Sequence, residues 1–159
     1  MSSHTVRPIA PDVLKELRAA DDAGRVPAPV TDHEGGSPLR CCLRHSRPGE
    51  RIALVSYAPL RRWAAATGAD PGPYDEQGPV FVHAEECAGP TAGDGHPFAD
   101  AHRTVRRYSA DGHILGGRLV GAVGDDALRN AFDDPSVALV HVRAVEYGCF
   151  LYEVRRPSA

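Results

Sequence analysis

The sequence predicts a single α+β domain with a mostly antiparallel β-sheet and a few short helices. Three observations support this fold class. Apolar residues alternate with polar ones over several short runs, which is typical of half-buried strands. Asp111-Gly112 is a strong signal for a hairpin turn. Apolar stripes of helical spacing occur only in short segments, and no internal repeat or linker divides the 159 residues.

Composition excludes several classes of protein. The chain has 42% hydrophobic and 25% charged residues and a net charge of -3, which is the balance of a soluble domain. We find no apolar run long enough to cross a membrane and no signal-like start. Acidic and basic residues are spread along the chain, so we expect no nucleic-acid or membrane partner. These features predict a cytoplasmic protein.

The first half of the chain begins with a short amphipathic helix over residues 10–20, because Val13, Leu14 and Leu17 follow a helical period. Residues 21–39 show no period and predict a long surface connection. We therefore divide the single domain, residues 1–159, into an N-terminal helix and loop (1–38) and a core (39–156). The next predicted elements are a strand at 51–57, a helical turn at 61–66, a strand at 79–83 and a first helical turn at 84–87.

The second half of the chain is predicted as two hairpins around one helix. Strands at 103–108 and 113–123 form the first hairpin, in which Gly116-Gly117 implies a bulge or a close backbone approach. The helix spans residues 125–132 and has acidic residues at its start. The last strands, 137–145 and 149–155, meet around Tyr147-Gly148.

This final hairpin is predicted to offer a ligand-facing surface. If Tyr147-Gly148 is a two-residue turn, one face is apolar core and the other carries His141, Arg143, Phe150 and Tyr152. Aromatic rings beside an imidazole and a guanidinium are typical of a small-molecule pocket. The alternative is that His141 and Arg143 cover the solvent side of the sheet.

His83 and Cys87 form a second candidate pair. A helix starting after His83 would lower the pKa of Cys87, and the histidine would act as a base beside a nucleophile. The alternative is a small core cysteine with a packed histidine. Tyr74 and Glu76 lie on the preceding loop and could overhang the same end of the sheet.

Metal binding is a further hypothesis. Cys42-x-x-His45 and His83-x-x-x-Cys87 would supply four ligands at spacings that tetrahedral zinc accepts. No usual zinc-finger spacing is present, so we expect a metal-independent protein. Cys41 and Cys42 are sequence neighbours that cannot easily pair, and we expect four free thiols.

Several segments resemble a bacterial domain-of-unknown-function family, the one numbered 1203. The similarity covers residues 39–154, and its motifs are Cys42-Leu43, Pro48-Gly49-Glu50, Ser56-Tyr57, Gly-Pro-Val-Phe-Val-His at 78–83, Cys87, His141-Val142-Arg143 and Tyr147-Gly148-Cys149-Phe150. The resemblance implies a small α+β domain and names no reaction. Members of that family often show Cys-x-x-Cys-Leu at the first motif. Leu39 replaces the first of those cysteines here, which argues against a metal or disulfide pair with Cys42.

The resulting functional hypothesis is a small-molecule-binding domain, acting as a cofactor-free isomerase, cyclase, dehydratase or hydrolase of bacterial metabolism. Its ligand would be a small organic molecule, anionic or carbonyl-bearing, and a homodimer is compatible with it. The predicted catalytic residues are His83, Cys87 and His141, and the predicted substrate-binding residues are Arg143, Tyr152, Tyr74 and Tyr147. Two alternatives remain open: a zinc-stabilised or redox-responsive interaction domain, and a partner-binding protein without chemistry.

Overall fold

The computed structural model describes residues 4–91 and 95–157 of the chain. The predicted α+β class is confirmed, because these residues form three α-helices and ten strands that pair almost entirely antiparallel. The strands do not form one sheet as expected. They divide between two five-stranded sheets, each in its own compact unit. None of the helices in these residues has the length and apolar character needed to cross a membrane.

The first unit, here called the antiparallel unit, comprises residues 4–7, 58–76 and 99–157. It contains five strands, two α-helices and a 3-10 turn. Its elements are β1 (Thr5–Arg7), α2 (Pro59–Thr67), the 3-10 turn (Gly72–Tyr74), β7 (Arg103–Tyr108), β8 (Ile114–Val120), α3 (Asp125–Phe132), β9 (Leu139–Ala144) and β10 (Phe150–Arg155). The strand order in the sheet is β1-β10-β9-β7-β8, and every neighbouring pair is antiparallel.

Turn chemistry and packing account for this unit. The β7–β8 hairpin turns at Gly112, whose φ of 84° lies in the left-handed region that glycine adopts without strain. The bulge that Gly116-Gly117 was expected to mark corresponds to a register shift beside Gly116, since Arg107 lies opposite Gly116 but Tyr108 lies opposite Ile114. Helix α2 buries Leu60 and Trp63 in a cluster that Tyr108 and Leu139 of the sheet complete.

The second unit, here called the mixed unit, comprises residues 8–57, 77–91 and 95–98. Its elements are α1 (Pro11–Ala19), β2 (Val30–Asp32), β3 (Pro38–Leu39), β4 (Arg44–His45), β5 (Glu50–Tyr57) and β6 (Gly78–His83). The strand order is β2-β5-β6-β3-β4, with one parallel pair between β3 and β6. Helix α1 buries Leu14 and Leu17, as its amphipathic pattern predicts.

Two sequence-based assignments in the mixed unit are wrong. Residues 21–39 are not one long connection, because they contain β2 and β3. Residues 84–87 do not begin a helix, and the chain after β6 runs as bends and irregular backbone. Strands of two or three residues are too short to show alternation, which is why the pattern missed them.

The predicted register of the last hairpin is also wrong from its first pair, because a two-residue turn at Tyr147-Gly148 would place Phe150 opposite Val145 and Tyr152 opposite Arg143. Phe150 lies opposite Arg143, but Tyr152 lies opposite Val142 and Glu153 opposite His141, since the register shifts between Phe150 and Tyr152. One extra residue in a strand moves every later side chain to the other face. Tyr152 is therefore on the face opposite to His141, where it is fully buried.

Candidate metal centre

A tight turn between β3 and β4 presents two neighbouring cysteines. Residues 40–43 form this turn, in which the Leu43 N–H donates to the Leu39 carbonyl at 2.9 Å and Leu43 has a φ of 57°. Side chains of consecutive residues in a strand point to opposite faces, but in a turn they can converge. The Sγ atoms of Cys41 and Cys42 are 3.9 Å apart.

His83 and Cys87 complete a four-residue cluster with this turn. His83 ends β6, the strand that β3 pairs with in parallel, and its Nδ1 lies 3.4 Å from Cys41 Sγ and 3.8 Å from Cys42 Sγ. Cys87 follows in the loop after β6. One ligand atom from each of the four residues lies within 4.8 Å of the other three.

These spacings suit a tetrahedral metal ion. Zn–S bonds of about 2.3 Å and Zn–N bonds of about 2.0 to 2.1 Å place sulfurs about 3.8 Å from one another and about 3.6 Å from the nitrogen. The three distances among Cys41, Cys42 and His83 are 3.9, 3.4 and 3.8 Å. These three separations match those of a tetrahedral zinc site, and the ligand atom of Cys87 lies within 4.8 Å of each of the other three.

The far side of the His83 ring is held by a carboxylate. Its Nε2 lies 2.8 Å from Glu50 Oε2, and Arg44 donates to both oxygens of Glu50 at 2.9 Å. These bonds from Arg44 hold the pKa of Glu50 well below its usual range. An ionised carboxylate can only accept, so Nε2 is the donor, and in the neutral tautomer that carries this proton the lone pair of Nδ1 faces the cysteines. The pairing of a metal-binding histidine with a carboxylate is a recurrent outer layer of zinc sites.

Each sulfur of the cluster also accepts a backbone N–H. The His83 amide donates to Cys41 Sγ at 3.3 Å. The Arg44 amide donates to Cys42 and the Gly89 amide to Cys87. Such donors stabilise negative charge on sulfur more than they stabilise a neutral thiol. Each of these N–H groups therefore acts to lower the pKa of the cysteine that it faces.

The pKa values of the three thiols are spread apart. A hydrogen bond with Cys42 and burial raise the pKa of Cys41, and the same hydrogen bond lowers the pKa of Cys42. Burial raises the pKa of Cys87, which corrects the expectation of a lowered value, since no helix begins after His83. All four cysteines of the chain are free of disulfides.

The ligand set differs from the zinc hypothesis at one position. His45 is exposed and packs edge-on against Phe98 at 5.1 Å, outside the cluster. Cys41 takes its place. The sequence contains one usable signal, the pair Cys41-Cys42, but their adjacency argues only against a disulfide between them, and no local pattern predicts the turn at residues 40–43.

His141 occupies a different setting in the antiparallel unit. It is fully buried, between the rings of Tyr108 at 4.8 Å and Phe150 at 4.9 Å, so it does not cover a solvent face. Its Nε2 lies 3.0 Å from Glu153 Oε1. Burial lowers the pKa of His141. Burial alone would raise the pKa of Glu153, but His141 and Arg155 outweigh it and lower that pKa.

The remaining predicted site residues also lie in the antiparallel unit. Arg143 is mostly buried and pairs with Glu76, and Tyr74 packs against the Leu60–Trp63 cluster. Tyr147 is 91% exposed at the hairpin turn, whereas Tyr152 is fully buried. The structure thus groups His83 with Cys87 in one unit and the other five predicted residues in the other unit.

The antiparallel unit also has an open groove of about 670 Å³ beside β8 and α3. Its polar lining includes Arg107, Arg118 and Asn130, and Arg118 donates to Asn130 Oδ1 at 3.1 Å. None of the predicted site residues lines this groove.

Comparisons with known proteins agree with the resemblance seen in the sequence motifs. No curated protein and no solved structure matches the chain. A family model described as a protein of unknown function, DUF1203, matches residues 36–156, a range that includes all four residues of the cysteine–histidine cluster. The chain belongs to the DUF1203 family.

Proposed function

We propose that the mixed unit binds one zinc ion through Cys41, Cys42, His83 and Cys87, and that this ion stabilises the fold. The observation that carries the proposal is the combination around His83. Its Nδ1 faces two sulfurs at 3.4 and 3.8 Å, while its Nε2 is fixed by Glu50 at 2.8 Å. An imidazole held in this orientation is prepared to bind a metal.

A structural role suits the ligand set better than a catalytic one. Four protein ligands close a tetrahedral zinc site, whereas catalytic zinc keeps a position for water or substrate. Cys41 and Cys42 are buried, and the His83 side chain is 12% exposed. Little space is left for a substrate at this centre.

The positive charge of two neighbouring arginines favours the zinc-bound state of the cluster. Three thiolates, a neutral imidazole and Zn²⁺ sum to one negative charge. Arg44 and Arg18 both lie close enough to lower the pKa of a cluster cysteine. Arg18 Nε donates to the His83 carbonyl at 3.1 Å, and its Nη2 is buried without a hydrogen-bond partner in the described structure. The two guanidiniums would balance the negative centre.

The proposed ion would join segments that have little regular structure. Cys41 and Cys42 belong to the turn after a two-residue strand, and Cys87 belongs to the irregular backbone after β6. Neither segment has a long ladder of backbone hydrogen bonds. Zinc binding supplies folding free energy to small units of this kind. A cytoplasmic location would suit the site, since three reduced thiols are required.

The small-molecule hypothesis is affected by this assignment. His83 and Cys87 would be metal ligands and not a base and a nucleophile. A cofactor-free enzyme would then depend on His141, Arg143 and the tyrosines of the antiparallel unit. That function stays a prediction.

Metal content and cobalt substitution test the proposal. The full chain, purified from zinc-supplemented cells without chelator, is expected to contain about one zinc per chain. Replacing zinc by Co²⁺ should give the visible bands of tetrahedral cobalt together with thiolate-to-cobalt charge transfer.

Two cysteine variants make the test specific. Cys87→Ser should lose most of the zinc and the charge-transfer band. Cys149→Ser is the matched control, because Cys149 lies in the antiparallel unit outside the cluster, and it should keep both. Equal metal content in the two variants, or no zinc in the wild-type chain with no uptake of cobalt, would overturn the proposal.

A further inference from the structure

Two arginines of the antiparallel unit converge on a single carboxylate. Arg106 Nη1 lies 2.6 Å from Glu76 Oε1, and Arg143 Nη2 lies 3.2 Å from Glu76 Oε2. Each oxygen thus contacts a different guanidinium. This cluster is separate from the zinc centre, because its three residues belong to the antiparallel unit.

The sheet register fixes the two arginines side by side. Arg106 lies opposite His141 and Thr104 opposite Arg143, on the adjacent strands β7 and β9. Residues two apart in a strand share a face, so the two arginines are diagonal neighbours on one face. Arg143 is also anchored by Nε, which donates to the Gly148 carbonyl at 2.9 Å. The cations are therefore held by regular structure.

The cluster carries an excess of positive charge. Two guanidiniums face one carboxylate, and their side chains are only 24% and 14% exposed. Burial and the neighbouring Arg106 lower the pKa of Arg143. Tyr108, whose hydroxyl accepts from Arg106 at 3.3 Å, adds no charge. Placing like charges this close is unfavourable unless a counter-ion of matching charge binds between them.

Glu76 is the least constrained member of the cluster. It lies between the 3-10 turn and β6, in no helix or strand, and its side chain is 45% exposed. A half-exposed side chain on irregular backbone can turn away from its partners at a lower cost than one fixed in a strand. The arginines would then present two planar donor sets to the same point, the arrangement that proteins use for phosphate and carboxylate groups.

We propose that Arg106 and Arg143 form a binding site for a phosphate group, free or as a monoester, and that Glu76 occupies this site until the ligand displaces it. A dianion matches the two guanidiniums, whereas the carboxylate of Glu76 leaves one positive charge without compensation. The site is a binding site for the oxyanion alone, and no bond is made or broken in it.

Glu76→Gln tests the displacement directly. Calorimetric titration of the full-length, zinc-supplemented protein with inorganic phosphate should show binding at least roughly ten-fold tighter in this variant than in the wild type, because the competing charge is removed. Glu85→Gln is the control, since Glu85 is an exposed carboxylate paired with the single arginine Arg51. It should leave phosphate affinity at the wild-type value.

Two further measurements identify the hydrogen-bond donors of the site and the form of phosphate that it binds. Arg143→Lys in the Glu76→Gln background keeps the charge but loses the planar fork, and should reverse most of the gain. Tighter binding of phenyl phosphate than of inorganic phosphate would assign a monoester, and equal or weaker binding would assign the free ion. The proposal is overturned if Glu76→Gln, with an unchanged melting temperature, binds phosphate no better than Glu85→Gln, or if Arg143→Lys leaves the gain intact.

Discussion

The imidazole of His83 is bonded through Nε2 to Glu50 at 2.8 Å, and this bond fixes which nitrogen faces the cysteines. Glu50 begins β5 and His83 ends β6, and the two strands are antiparallel neighbours. The pairing of β5 with β6 thus places the Glu50 carboxylate beside the His83 ring and orients Nδ1 toward the cysteines.

Glu50→Gln is expected to weaken zinc binding about 10- to 100-fold while the ligands remain in place. Glutamine cannot accept the bidentate bond from Arg44 and holds the His83 ring less firmly. Competition with a chromophoric chelator measures the affinity. Glu34→Gln, which removes an exposed carboxylate in the loop after β2 of the mixed unit, should bind zinc as the wild type does. An unchanged affinity for Glu50→Gln would show that the carboxylate does not support the site.

Zinc affinity is expected to rise with pH from neutral to alkaline conditions. The pKa values of Cys41 and Cys87 are raised in the metal-free chain, so these thiols carry protons that zinc must displace. Each displaced proton makes the affinity change roughly ten-fold per pH unit. Calorimetry in buffers of different ionisation enthalpy counts the released protons. Release of no proton near neutral pH would contradict the protonation states described for the cluster.

The cluster shows where sequence reasoning succeeds and where it stops. Strands β5 and β6 were predicted because six to eight residues with alternating apolar side chains give a clear pattern. The fourth ligand was not found, because Cys41 joins the site only through the turn at residues 40–43 between two strands of two residues each. Local periodicity contains no information on such a turn.

Strand register in the last hairpin is limited in the same way. Alternation of side chains predicts the two strands and the shared face of His141 and Arg143. Tyr152 was placed on the wrong face, because the irregularity between Phe150 and Tyr152 adds one residue to β10. Nothing in the sequence of this strand, with neither glycine nor proline, indicates a bulge. The convergence of Arg106 and Arg143 on Glu76 depends on pairing between strands distant in sequence, which a single sequence does not specify.

The loop that leads into β3 is expected to depend on Gly35. Its φ is 76°, and a Cβ there would lie 2.9 Å from Pro48 Cδ and 3.0 Å from the Ser46 carbonyl oxygen. Gly36 is a matched control, because its φ of 88° is similarly left-handed but open space surrounds it. Gly36→Ala should cost about 1 to 2 kcal/mol of unfolding free energy, and Gly35→Ala about 1 to 3 kcal/mol more. Urea unfolding measured by far-ultraviolet circular dichroism compares them. Equal losses would mean that the contacts with Pro48 and Ser46 are not restrictive.

The antiparallel unit is expected to lose stability in mild acid because of His141. The folded-state pKa of this histidine is lowered from its ordinary 6.5 by burial, so protonation favours the unfolded chain as the pH falls below that value. The pKa of Glu153 is lowered too, which adds a second loss of stability at lower pH, as the carboxylate is protonated. Between about pH 7.5 and 5, the histidine contributes a slope of at most about 1.4 kcal/mol per pH unit.

Urea unfolding followed by the fluorescence of Trp63 measures this slope, because Trp63 is the single tryptophan and lies in the core of the antiparallel unit. His141→Gln is expected to be less stable at neutral pH, since it loses the ring contacts, but flatter between about pH 7.5 and 5. His33→Gln, at an exposed position, should keep the wild-type slope. A wild-type slope in His141→Gln would assign the acid sensitivity to another group.

X-ray absorption at the zinc edge of the purified chain tests the central claim most directly, because it reports which atoms bind the metal. The account predicts a four-coordinate ion with three sulfurs at about 2.3 Å and one nitrogen at about 2.0 to 2.1 Å. In Cys149→Ser this spectrum should be unchanged, since that sulfur lies outside the cluster. A first shell made only of nitrogen and oxygen, or a chain that retains no zinc and cannot be loaded with it, would contradict the account.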